Sequence, residues 1–239
     1  MFSIIAHDLR SPFSTILGFT NVLKNNSRDY KIEKSEKFIC EMNAQAKQTF
    51  NLLENLLNWA KNQTGKIAFN PSYCNIDKIS NEVIEQLKET AQIKNITIKS
   101  FYSKNANADK NMVEVILRNL ISNAIKFTKN NGFVEVYSIV IDDYIEVTVA
   151  DTGIGVDDKD KIKIFTIDEN KTKLGTANEK GSGLGLVVCK DFIEKHHGKI
   201  WVEDKKGKGS LFKFTLPIHI NEKTKDQVQK LWDFRVKQK

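Results

Sequence analysis

Cysteine and long apolar runs are both scarce in this chain of 239 residues, and each scarcity excludes something. No apolar run approaches the roughly 18–20 residues that span a bilayer. The N-terminus, MFSIIAHDLR, has a short apolar patch with no basic region before it and no cleavage pattern after it, so no signal peptide is expected. The three cysteines, Cys40, Cys74 and Cys189, are odd in number and far apart, and no CxxC or Cys/His metal spacing occurs. A disulfide framework and a zinc site are therefore not expected, and reduced core thiols are. There are no internal repeats and no recognised nucleic-acid motif.

What is present is ordinary for a soluble globular protein: 28% charged and 40% apolar residues, which excludes wholesale disorder. The length suits one large domain or two small ones. A net charge of +7 raises a polyanion partner, but the excess is uneven. Residues 1–65 and 66–217 carry +2 each, and 218–239 alone carry +3. Glycine is uneven too, with nine of twelve between Gly153 and Gly209. Clustered glycine marks backbone that bends sharply or approaches a ligand closely.

Periodicity gives the organisation. Ile39, Met42, Ala46, Thr49, Leu53, Leu56 and Ala60 recur at spacings of three and four, a heptad seam predicting a helix over 34–62. Phe38, Phe50, Leu52 and Leu57 widen its apolar face beyond that of a two-stranded coiled coil. A second amphipathic pattern over 2–24 contains Pro12, which is expected to kink it. The two patterns, with a turn at 25–28, predict a helical hairpin. Its wide face suits a four-helix bundle made by two chains. After Thr64-Gly65 the pattern changes to short strands at 66–70, 96–101, 133–140, 144–150, 199–203 and 210–216. Helices are expected around Ile76–Leu87, at Lys110–Phe127 and near Leu184–His197, the last stopped by Gly198. Helices on one face of a mixed sheet make an α+β sandwich.

Three segments carry chemistry. Asn119, Asn123 and Lys126 sit at i, i+4 and i+7 of one helix, so they share a face. An amide oxygen suits Mg²⁺, and a lysine suits phosphate. Asp151-Thr152-Gly153-Ile154-Gly155 follows a strand, where a carboxylate can accept a hydrogen bond from a base amine and glycines let the backbone come close. Gly181-Ser182-Gly183-Leu184-Gly185-Leu186 opens a helix whose backbone N–H groups form an anion site. Taken singly, each is commonplace: helix asparagines are usually surface residues, and glycine turns are usually turns. Their order inside one α+β domain is what is informative.

NLISNAIKFT, DTGIG and GSGLGL in this order resemble the ATP-binding domain of sensor histidine kinases, part of the superfamily shared with gyrase, Hsp90 and MutL. Ser3–Pro12, SIIAHDLRSP, resembles the phosphoacceptor segment of the same kinases, and the likeness extends over residues 2–217. The resemblance implies a dimerisation and phosphoacceptor hairpin (1–63), a Bergerat-type α/β sandwich binding ATP (64–217), and a basic tail (218–239). It implies that His7 is the acceptor and that Asp8 assists it as hydrogen-bond partner or base. Ser11 stands where many members have Thr or Asn, the residue that positions water for dephosphorylating the partner. By the same likeness Asn123 coordinates Mg²⁺, Asn119 and Lys126 contact ATP or its metal, and Phe127 packs near the nucleoside. Asp151 reads the adenine amine, with Gly153 and Gly155 shaping the pocket. Gly181, Gly183, Leu184 and Gly185 belong to the phosphate loop beside a lid at 164–183. Members that hydrolyse ATP with water usually have a glutamate four residues before the metal asparagine. Here that position is Asn119, which favours transfer to a protein side chain.

The expected function is an ATP-dependent, autophosphorylating protein-histidine kinase core that passes its phosphoryl group to an aspartate of a response-regulator receiver domain. It is expected to be a cytoplasmic homodimer with no direct nucleic-acid contact. As a piece of a longer receptor, it leaves inner-membrane attachment of the full-length protein open. The rival is a nucleotide-binding signalling dimer that has lost transfer activity. Adjacent His196 and His197 point about 100° apart on a helix, so a helix-terminal role is expected for them rather than one shared metal ion.

Overall fold

The computed structural model describes residues 2–26, 32–63, 69–101, 105–166, 173–177, 179 and 183–218; the side chains of residues 2–11 and of parts of 44–63 lie outside that description. Two compact units form. One comprises Met1–Ala68 with Lys163–Leu174 and Lys180–Val188, and the other comprises the rest.

In the first unit, helices α1 (Phe2–Asn26) and α2 (Ile32–Gln63) pack side by side. The Phe19 and Phe38 rings stack with centroids 5.1 Å apart, and Thr20 Oγ1 lies 3.4 Å from Met42 Sδ. Thr49, the polar interruption of the heptad seam, is buried because its hydroxyl donates to Gln45 O in its own helix at 2.7 Å. Pro12 lies inside α1 and removes the N–H that would bond the Asp8 carbonyl four residues back. Phe13, Leu17, Ile39, Phe50 and Leu53 are each at least half exposed, so the hairpin leaves much of its apolar face uncovered. Cys40 is exposed, a departure from the expectation that all three thiols are core; Cys74 and Cys189 are buried.

The second unit is built on a five-stranded sheet in the order β2 (Thr97–Phe101), β4 (Phe133–Ile141), β5 (Tyr144–Asp151), β7 (Ser210–Pro217), β6 (Ile200–Asp204). Only β2–β4 is parallel, so the sheet is mixed as expected. Val134, Val136, Ile145, Val147, Val149, Phe212, Phe214 and Leu216 are buried at alternate positions, one face of the pleat. Helix α4 (Lys110–Phe127) lies on β4 and β5, and α3 (Ile76–Ile93) lies on α4 and β2. α4 buries Val113, Ile116, Leu117, Leu120, Ile121, Ala124 and Ile125, the 3.6-residue stripe of a core helix. Side-chain oxygens cap both helices: Asn75 accepts from Lys78 N, and Asp109 accepts from Asn111 N and Met112 N.

Two features differ from expectation. Of the strand expected at 66–70, residues 66–68 lie outside the described residues and 69–70 are not strand. The strand that forms is β1 (Ser72–Cys74), paired antiparallel with β3 (Ala106–Ala108). Three-residue strands are too short for alternation to announce them. Gly198 was expected to supply the left-handed residue ending α5 (Gly185–Lys195), but His197 does so, at φ 56°. His197 N donates to Glu194 O and Gly198 N to Ile193 O, which is a Schellman ending. Gly198 is required for another reason: a Cβ there would overlap Thr215 O.

His196 is 1% exposed and neutral in role. Its Nδ1 lies 2.7 Å from Phe192 O, and its Nε2 accepts the Asp109 N–H at 2.9 Å. Burial holds its pKa below the ordinary histidine value, against the opposing Phe192 hydrogen bond and Asp109 charge. The folded state thus resists a proton that the unfolded chain accepts. The stability this contributes is full above about pH 6.5 and falls as pH drops below that value toward the folded pKa. Denaturant melts between pH 8 and 5 are expected to show this loss. His196→Ala should lower stability by about 3 kcal/mol at pH 8, by leaving the Asp109 N–H unpaired and a cavity behind, and should flatten the decline. An unchanged pH profile would remove His196 as its cause.

Candidate nucleotide-binding site

Asp151 is the last residue of β5 and pairs across the sheet with Val134. Two residues beyond Val149 and four beyond Val147, it faces the helix-covered side. There it is 2% exposed, and its Oδ1 accepts from Gly153 N at 2.7 Å and Ser210 N at 3.2 Å. Burial raises its pKa, opposed by those two N–H donors, by the Lys205 charge and by the Ser210 hydroxyl. The carboxyl is thereby fixed in direction on a wall where few solvent dipoles compete for it.

The turn after Asp151 is shaped by close approach. A Cβ on Gly153 would sit 2.5 Å from Phe127 O, and Ile154 N donates to Phe127 O at 3.2 Å. The DTGIG turn is therefore sewn to the C-terminal end of α4, so Asp151, Gly153, Lys126 and Phe127 are neighbours. Gly155 adopts φ 81°, open to glycine without strain. A residue pair that the motif reading missed completes the wall. Gly209 has φ 114°, a Cβ there would overlap Asp151 O, and Ser210 follows it onto the carboxylate. The only trace in sequence is Gly207-Lys208-Gly209-Ser210, which reads as a plain turn.

Along α4, Asn119, Asn123 and Lys126 are partly exposed, while Leu120, Ile121, Ala124 and Ile125 between them are buried. Asn119 Nδ2 donates to Val115 O at 2.9 Å, which leaves its Oδ1 as an acceptor. Lys126 Nζ lies 4.8 Å from the Phe127 ring centroid, a cation–π contact, and burial holds its pKa below the usual lysine value while Glu179 opposes the shift. Among the described residues no group of three His, Cys, Asp or Glu side chains could hold a metal ion. Any ion at α4 would need amide and phosphate oxygens. That oxygen-only donor set suits Mg²⁺.

Of the phosphate-loop residues, Gly183 has φ 70°, Leu184 is buried and Gly185 begins α5. Val188 N bonds back to Leu184 O, so the first N–H groups of the helix precede any intrahelical partner. Gly181 and Ser182 lie outside the described residues, as does much of the lid expected at 164–183. Within that lid Thr176 is held on α4: its N donates to Lys126 O at 3.0 Å. His7, Asp8 and Ser11 occupy the first half of α1, with Ser11 one turn after His7; their side chains lie outside the described part. Beyond Ile218, so does the basic tail. No described helix is long and apolar enough to cross a membrane.

Residues 1–65 match the family model described as the His Kinase A (phospho-acceptor) domain, and residues 108–220 match the Histidine kinase-, DNA gyrase B-, and HSP90-like ATPase. The adaptive-response sensory kinase SasA of Crocosphaera subtropica is 29% identical over 91% of the chain and 58% of its own length. The sensor histidine kinase WalK of Bacillus subtilis is 27% identical over 96% of the chain and 37% of its own length. The chain thus spans between about a third and three fifths of these relatives. A solved structure of histidine kinase ThkA in complex with response regulator protein TrrA covers 92% of this chain and 61% of its own, at 24% identity and a TM-score of 0.69, a likeness of fold. With a phosphoacceptor model over residues 1–65, an ATPase model over residues 108–220 and kinases that match nine-tenths or more of its length, the chain carries the two domains of a sensor histidine kinase.

Proposed function

We propose that the chain is an autophosphorylating protein-histidine kinase core, with residues 1–63 as dimerisation and acceptor hairpin, 64–217 as ATP-binding domain and 218–239 as a basic tail. The observation that carries this reading is the buried, oriented Asp151 carboxylate beside the Lys126–Phe127 end of α4, in a chain that also holds the SIIAHDLRSP segment. Asp151 accepts a hydrogen bond from the adenine 6-amine, and Phe127 covers the nucleoside. Asn119 and Lys126 hold the phosphates. Mg²⁺, held by Asn123 and phosphate oxygens, would neutralise charge on the transferring group. Gly181, Gly183, Leu184 and Gly185 supply backbone N–H groups to the same phosphates.

His7 attacks the γ-phosphorus through an imidazole nitrogen lone pair. An N–P bond forms, the bond from phosphorus to the bridging oxygen breaks, ADP leaves, and the attacking imidazole gives up its proton. Asp8 takes or stabilises that proton. Positioning and electrostatics supply most of the rate in such transfers. The phosphoryl group then passes to an aspartate of a receiver domain, a partner supported by the ThkA–TrrA complex. The uncovered apolar residues of the hairpin, Phe13, Leu17, Ile39, Phe50 and Leu53, support a homodimeric four-helix bundle. This reading places the chain in the cytoplasm, where ATP is available.

Phosphotransfer tests it. Protein labelled with γ-labelled ATP, freed of nucleotide and mixed with a receiver domain, is expected to lose label to the receiver within minutes. A receiver whose acceptor aspartate is replaced by asparagine should receive none. A chain that never takes up label, yet binds ATP, would favour the transfer-deficient dimer.

A further inference from the structure

Lys94 is the capping residue that ends α3, followed by Asn95 in the left-handed region at φ 52°. Its side chain is 6% exposed, which a lysine tolerates only when its charge is fully employed. Nζ lies 2.8 Å from Ile125 O, 2.9 Å from Lys126 O, 2.7 Å from Thr176 Oγ1 and 3.1 Å from Glu179 Oε1. The first two acceptors are carbonyls in the last turn of α4, where a cation also meets the negative end of the helix dipole.

Glu179 is the acid in this cluster, and it lies beside Lys126 as well. A Cβ placed on Gly175 would meet both Glu179 Oε2 and Lys126 Cγ, and the Glu179 charge acts on the Lys126 ammonium. Burial works against the Glu179 charge, but N–H donors, Ala177 N among them at 2.7 Å, and the Lys94 ammonium outweigh it and hold the carboxyl below its usual range. Glu179 is therefore ionised, a few ångströms from the lysine assigned to phosphate. Left uncompensated, it would pair with Lys126 and repel the nucleotide phosphates.

We propose that Lys94 is a positioning residue for the nucleotide site: it binds Glu179 and the Lys126 carbonyl together, neutralises that acid, and so keeps the Lys126 ammonium available to polyphosphate. This rests on the reading of Lys126 as a phosphate ligand. The effect of Lys94 then belongs to the phosphates and not to the base.

Calorimetric titration of the full chain with ATP and with adenosine tests it. Lys94→Met is expected to weaken ATP binding about tenfold, the size of one charge-assisted hydrogen bond, and to leave adenosine affinity within twofold. Adding Glu179→Gln to Lys94→Met should restore most of the ATP affinity, because the offending charge is gone. Equal losses for adenosine and ATP, or no restoration in the double variant, would overturn the proposal and leave Lys94 a purely structural ion-pair partner. If Lys94→Met does not fold, Glu179→Gln alone decides. Affinity for ATP equal to or above wild type supports the proposal, and a loss overturns it. Wild-type protein that binds ATP no better than adenosine would instead refute the assignment of Lys126.

Discussion

Replacing His7 by glutamine is expected to abolish incorporation of label from γ-labelled ATP, at least a thousandfold, while ATP affinity stays within twofold of wild type. Glutamine matches imidazole in reach along the helix and can still hydrogen-bond, so it tests chemistry more than shape. Its amide nitrogen lone pair is delocalised into the carbonyl and is not nucleophilic. The neutral imidazole nitrogen lone pair is available near pH 7. The adduct itself is diagnostic. A phosphoramidate on histidine is stable to base and lost in acid, whereas a serine or threonine ester shows the opposite. Wild-type label should therefore survive dilute alkali and disappear in dilute acid. Label retained by His7→Gln would move the acceptor elsewhere, with Ser11, one turn further along α1, the first residue to examine. Unlabelled wild-type protein with intact ATP binding would instead favour the dimer that has lost transfer.

The parts of the molecule that the sequence disclosed were those with long periods or glycine-dense turns. α2 was visible because seven seam positions repeat over about six turns, and α4 because its apolar stripe runs unbroken from Met112 to Ile125. The β4–β5 hairpin was visible because eight paired residues alternate up to an Asp142-Asp143 turn, where Asp142 takes φ 51°. The small β1–β3 sheet was not, since three residues hold no period. At the site, Asp151, Gly153 and Lys126 were legible because motif residues must lie near one another in sequence. Their supports were not. Ser210 lies 59 residues from Asp151, and Glu179 lies 85 from Lys94. Only the fold closes such distances, and neither a serine nor a lysine carries a local pattern that foretells its partner. The same holds for His196, whose buried bond to Asp109 N spans 87 residues. Gly198 shows the converse. Its type was read correctly and its reason was not, because a helix stop and a close approach to a neighbouring strand select the same residue.

Asp151→Asn should weaken ATP binding by about 10- to 100-fold, and the structure dictates why so small a change matters. Gly153 N and Ser210 N both donate to Oδ1, so that position demands an acceptor. In an asparagine the carbonyl oxygen must take it, and the NH₂ group is driven to the other position. There it meets the adenine 6-amine donor to donor. The variant loses a charge-assisted hydrogen bond, worth about 1.5–3 kcal/mol, and gains a repulsion in a buried site where water cannot mediate. The fold itself should survive, since size is unchanged and the two backbone donors stay satisfied; the melting temperature should fall by no more than a few degrees. The base preference should shift as well. Guanine carries a carbonyl oxygen where adenine carries the amine, so the forced NH₂ gains a partner in GTP that the carboxylate repels. Titrating wild type and variant with both nucleotides is therefore more decisive than ATP alone. The ratio of GTP to ATP affinity should rise in Asp151→Asn by more than the ATP loss by itself. If both affinities stay at wild-type values, Asp151 does not read the base. If both fall equally, its role is to brace the Gly153 turn against Phe127 and Gly209, and base selection lies elsewhere in the pocket.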